Sequence, residues 1–148
     1  MMKTIAAVLA GLITWVLVAT AVNLLLRASW PHYHAAEIAF NFTLGMMMAR
    51  LALGALSSVC GGFVVAWVAK VDGAAVKLTG VALLVLFIPN HYLLWHKFPL
   101  WYHLTFLISL FPLTMMGAKL KARRTARGTS LAREPAPSLA RKQLPNFR

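Results

Sequence analysis

Residues 4–26 carry no charged side chain, and the pattern recurs over 51–69, 78–96 and 98–118. A helix needs about 20 predominantly apolar residues to cross the hydrocarbon core, since each residue adds about 1.5 Å. These runs are too long for barrel strands, and backbone groups in lipid have no water to bond with. The reading is therefore an all-α, polytopic membrane protein. Four transmembrane helices at about 4–26, 47–69, 78–96 and 98–118 form a bundle within residues 1–118. Composition agrees, with 60% hydrophobic residues and only 12% charged, against about 25% charged in a soluble domain.

Lys and Arg in short loops set orientation. Four spans put both termini on one side, with Lys3, Lys70 and Lys77 and the basic stretch that follows span four. The other side holds Arg27, Arg50 and Lys97. The expectation is a multi-pass protein of the cell inner membrane with both termini cytoplasmic. A competing reading of the N-terminus is a signal peptide ending near Ala19-Thr20-Ala21, but the apolar run continues to Leu26, further than such a segment needs.

The remaining segments read as connections. Residues 28–43 read as a turn and a short interfacial helix on the outer side, 70–73 as a tight cytoplasmic turn, and Pro89 and Pro99 as brackets on the link between spans three and four. Pro112 is expected to bend span four. Residues 119–148 hold nine Lys/Arg against Glu134 and read as a cytoplasmic tail, disordered beyond its first turn or two. Lys119, Lys121, Arg123, Arg124 and Arg127 lie where anionic lipid headgroups would meet them, at about 1 kcal/mol each. Phe147 is the tail's lone aromatic, which argues against nucleic acid as the partner.

Gly54, Ser58, Gly62 and Ala66 recur every four residues in span two, with Ser57 and Gly61 alongside. They make a strip of small side chains where another helix can approach closely. Packing inside the bundle is the first reading, a homo-oligomer or membrane-protein partner the second. Ala6, Ala10 and Thr14 form a weaker strip in span one.

All five histidines fall toward the outer face: His32 and His34 in the first outer segment, and His91, His96 and His103 around the link between spans three and four. Imidazole ligates zinc, copper and haem iron, which makes His91, His96 and His103 the metal candidates. Pro99 interrupts the His96–His103 spacing, and Trp30, Tyr33, Tyr92, Trp95, Trp101 and Tyr102 suggest an aromatic belt at the membrane surface instead. No cofactor is expected. Arg50 can snorkel to water, pair with Glu37 or hold a lipid phosphate. With His32 and His34, the candidates for an outer polar site are Asn23, Glu37 and Arg50; a convergence of Asn23, Arg50, His91 and His103 would define it.

Several chemistries are disfavoured. One cysteine, Cys60, allows no intramolecular disulfide and no CxxC pair, and in its apolar setting the thiol is expected to be inert. Three acidic residues, none inside a span, leave no carboxylate pair for acid–base work. Size and span number are similar to small multidrug resistance transporters, but the acidic residue those need in span one is missing. Four-span quinone-linked disulfide-forming proteins need cysteine pairs, and four-span b-type cytochromes need histidines paired within the helices. With Gly61-Gly62 in span two and its aromatic and histidine-rich outer loop, the layout resembles many small, uncharacterised four-helix bacterial inner-membrane proteins. The expected function is a non-enzymatic accessory, scaffold or assembly protein. One alternative is a metal, haem or lipid-substrate site at the outer face; another is a small oligomeric transporter or channel.

Overall fold

A computed structural model describes residues 2–70 and 73–133, with side chains to residue 129. The expectations that fall on Asp72, Glu134, Pro135, Pro137, Pro145 and Phe147 lie outside the described residues. Among the described residues five helices follow one another: α1 (Met2–Ser29), α2 (Pro31–Ala39), α3 (Leu44–Val68), α4 (Gly73–Leu93) and α5 (Leu100–Arg133). All except α2 are long and apolar enough to cross a membrane.

Local sequence explains the joints. Trp30 leaves the helical region (φ −128°) and Pro31 opens α2, where its missing N–H and fixed φ cost nothing. Phe40 ends α2 in the left-handed region (φ 53°), its N–H returning to the Ala36 carbonyl. Thr43 then caps α3 by accepting the Met46 N–H at 3.4 Å.

Helix α3 is the hub and packs most extensively on α5 and α1. Every-fourth-residue ridges make these contacts. Along α1 the buried positions are Ala7, Val8, Gly11 and Trp15, and Gly11 lies against Gly61 of α3, which allows the two backbones to meet. This corrects the strip expected on α1: Ala6 is exposed, and the packing face begins one residue later. The α3 strip is spent inside the molecule. Gly54 faces the Phe106 ring, Gly62 faces the Thr114 backbone, and Ala66 is fully buried in a cluster with Ala7, Val65 and Ala118.

A second apolar cluster joins Trp15, Leu83, Phe106 and Leu110 nearer the α2 end. Between these interiors and the outside, Ile13, Leu17, Leu25, Val85, Leu86 and Ile108 all point outward and exposed.

Two further expectations are corrected. Pro89 lies inside α4 rather than in the link to α5; it removes one N–H from the ladder without ending the helix. The stretch after residue 118 continues α5 to Arg133, well beyond two turns. Ala, Lys, Leu and Arg there are strong helix formers, and the Thr125 and Thr129 hydroxyls bond back to the carbonyls of Lys121 and Thr125.

Candidate functional site

At the α2 end, three helices present polar groups to one another. On α1, Trp15, Ala19, Asn23 and Arg27 are each four residues apart and share a face. On α2, Tyr33 and Glu37 share another, and Arg50 projects from α3. Glu37 accepts from Arg27 Nε at 2.7 Å through Oε2 and from Asn23 Nδ2 at 3.1 Å through Oε1. The Tyr33 hydroxyl donates to Asn23 Oδ1 at 3.0 Å and accepts from Arg50 Nη1 at 3.2 Å. Arg50 Nη1 also lies 3.5 Å from Glu37 Oε1, and its guanidinium sits 4.8 Å over the Phe42 ring. The network clamps α2 onto α1 and α3.

Charges in this cluster do not balance. Two guanidiniums share one carboxylate, which leaves one positive charge. Burial pushes the Glu37 carboxyl up, but the hydrogen bonds from Arg27 and Asn23 and the charges of Arg27 and Arg50 outweigh it and hold it below its ordinary value. Arg50 turns inward to this cluster rather than snorkelling outward. Its Nε is buried and has no acceptor among the described residues.

That orphan donor stands beside two cavities. The larger, about 250 Å³, lies between α1, α3, α4 and α5; Trp15, Phe87 and Phe106 give it aromatic walls, and Thr20, Asn23 and Arg50 supply polar groups. The smaller, about 70 Å³, includes Asn90, His91, Leu94 and Phe98. Arg50, Phe87, Tyr102 and Phe106 line both, so the two compartments meet around Arg50.

Behind the smaller cavity His91 and His103 are hydrogen-bonded, Nδ1 to Nδ1 at 2.7 Å. One Nδ1 must carry the proton and the other must accept it. His103 is 1% exposed, and its Nε2 is buried without a partner. The Trp95 ring stacks on His103 at 5.0 Å, and Phe106 lies 4.7 Å from His91. An orphaned buried N–H is rarer than an under-satisfied acceptor. The favoured tautomer therefore has His103 donating from Nδ1 and leaves the His91 proton on Nε2.

The structure thus brings Asn23, Glu37 and Arg50 together, with His91 on the smaller compartment and His103 behind it. His32 and His34 are exposed on α2, and His96 is exposed in the turn after α4. His96 does not join the His91–His103 pair, and among the described residues no three His, Cys, Asp or Glu side chains gather as a metal cluster.

Three participants escape the sequence reading. Tyr33 and Tyr102 read as belt residues but are buried (0% and 4% exposed), whereas Tyr92 is 77% exposed. Trp15 carries no polar signal in sequence, yet its Nε1 donates to Ser58 Oγ at 3.1 Å. The four-residue ladder Trp15, Ala19, Asn23 and Arg27 is the signal that could have found Trp15; no such spacing singles out the two tyrosines. No family model, curated protein or solved structure matches this chain.

Proposed function

We propose that this chain is an inner-membrane protein, a four-helix bundle with both termini cytoplasmic, that binds a small amphiphilic molecule near the outer membrane surface without transforming it. The observation that carries the reading is the aromatic-walled cavity of about 250 Å³ beside the orphaned, buried Nε of Arg50. Binding sites combine apolar walls with a few placed polar groups in this way, and this one lies just below the usual ~300–1,000 Å³ range, which suits a small ligand. A cation at membrane depth with a donor left unsatisfied is expensive, and such residues mark sites.

Catalysis has less support. Glu37 is held by Arg27, Asn23 and Arg50, and no carboxylate lies in any span. The scaffold reading draws on the small-residue strip of α3, but Gly54, Gly62 and Ala66 are covered by the chain's own helices. Lys119, Lys121, Arg123, Arg124 and Arg127 are assigned to the anionic headgroups of the cytoplasmic leaflet.

The test is thermal unfolding of detergent-solubilised protein with octanol, octanoate, octyl phosphate and 3-phenylpropanoate. A ligand at 100 times its Kd stabilises by about 2.7 kcal/mol. Wild type should show a Tm rise with at least one of the four, and Ala19→Phe or Leu53→Phe, which fill the cavity, should not. No shift with any of them, or the same shift in the filled variants, refutes the reading.

A further inference from the structure

We infer that the occupant of this cavity carries a single carboxylate seated on Arg50; the assignment rests on the cavity reading above and names its ligand class. Charge comes first. Arg27 and Arg50 share Glu37, so the cluster holds one positive charge more than it balances. A guanidinium cannot shed its proton to escape this cost, so a ligand with one negative charge completes the site.

Geometry selects the head. Nη1 of Arg50 is committed to Tyr33 and Glu37 and the Tyr102 hydroxyl faces the same guanidinium, while Nε has no acceptor. In a planar guanidinium, Nε–H and the neighbouring Nη2–H form a two-pronged edge that matches the two oxygens of a carboxylate. The smaller compartment, about 70 Å³, offers this head Asn90, His91 and the Tyr102 hydroxyl as its other polar neighbours. In the tautomer favoured above, His91 contributes a neutral N–H donor. The remaining walls, Phe87, Leu94, Phe98 and Phe106, have nothing to neutralise a second negative charge, which disfavours a phosphate dianion. The ligand's apolar body then occupies the larger compartment against Trp15 and Phe87.

The experiment is calorimetric titration of the detergent-solubilised full chain at pH 7 with three probes of matched size: 3-phenylpropanoate, its neutral amide, and 2-phenylethyl phosphate. Wild type should bind the acid at least about 100-fold tighter than the amide, the scale expected when a buried donor is otherwise left unpaired. Arg50→Gln should bind both at the amide's affinity. Arg50→Lys should keep a reduced preference for the acid, because its point charge lacks the planar fork. If Arg50→Gln fails to fold, the acid–amide ratio on wild type decides alone. Equal binding of acid and amide overturns the carboxylate assignment and leaves the cavity reading standing. Tighter binding of the phosphate ester overturns the single charge. No binding of any probe, together with an unchanged Tm across the amphiphiles of the previous test, overturns both.

Discussion

Gly62→Ala is the sharpest probe of how this chain holds together. A Cβ built at Gly62 meets the Thr114 carbonyl oxygen in hard contact, with the Thr114 carbonyl carbon at 2.7 Å and Cα at 3.0 Å. All three are backbone atoms, so no rotamer change relieves the clash. Restoring ordinary contact at 3.4–4 Å requires α3 and α5 to separate by on the order of 1 Å. A gap of that size forfeits a quarter to a half of each dispersion contact along the seam. The expected loss is about 3 kcal/mol, at the top of the range for overpacking. Gly54→Ala supplies the contrast: its nearest neighbour is the Phe106 ring edge at 2.7 Å, which can tilt, so about 1 kcal/mol is expected. Gly128 has nothing within 4 Å, and Gly128→Ala should cost nothing, since Ala is the better helix former. SDS-induced unfolding of the purified variants, followed by circular dichroism, reads all three. A Gly62→Ala loss below about 1 kcal/mol, or a larger loss for Gly54→Ala, would refute the close-approach argument.

Other outcomes follow from the polar clamp. Because the Glu37 carboxyl titrates below its ordinary value of about 4.5, its contribution is fully present above that value and is lost as pH falls through the folded pKa. Hydrogen exchange in α2 should therefore be flat from pH 8 to 5 after correction for intrinsic rates, then rise below 4.5; Glu37→Gln should abolish the rise. Tyr33→Phe removes the hydroxyl between Asn23 and Arg50 and should cost about 1–2 kcal/mol, with faster proteolysis of the 40–43 connection as the local readout. Trp15→Phe loses the bond to Ser58 Oγ, but Ser58 still donates to the Gly54 carbonyl at 2.8 Å. A loss near 1 kcal/mol in the same SDS assay is expected, and one above about 3 would mean that the indole does more than this bond.

Much of the helical architecture was legible because four uncharged runs leave the backbone few alternatives. The short helix was legible too, since Trp-Pro before it and Phe-Asn-Phe-Thr after it mark its ends. The face of α1 was not. Ala6-Ala10-Thr14 and Ala7-Gly11-Trp15 both read as small or apolar at helical spacing, and only a partner backbone at Gly61 selects the second. Asn23, Glu37 and Arg50 could be named as candidates because polar groups are scarce in such a chain. Tyr33 and Tyr102 could not, because a tyrosine near a helix end fits the belt and the interior equally well. The His91–His103 pair depends on a turn that folds α5 back along α4, a relation that sequence separation does not encode. The helical run to Arg133 was obscured by the prolines beyond it, which say where a helix must stop but not how far it reaches beforehand.

The seam between α3 and α5 also has a consequence for biosynthesis. As the chain is made, α1 is already present when α3 appears, so Gly11 and Gly61 can meet at once. The Gly54–Gly62 face has to wait until all of α4 and the turn after it have emerged. Only then does Phe106 or Thr114 exist to cover it. A nascent chain halted before Leu100 therefore carries an open groove along α3, narrow enough for a helix and floored by glycine. Completion of α5 closes that groove, so α5 acts as the latch on the helices made before it.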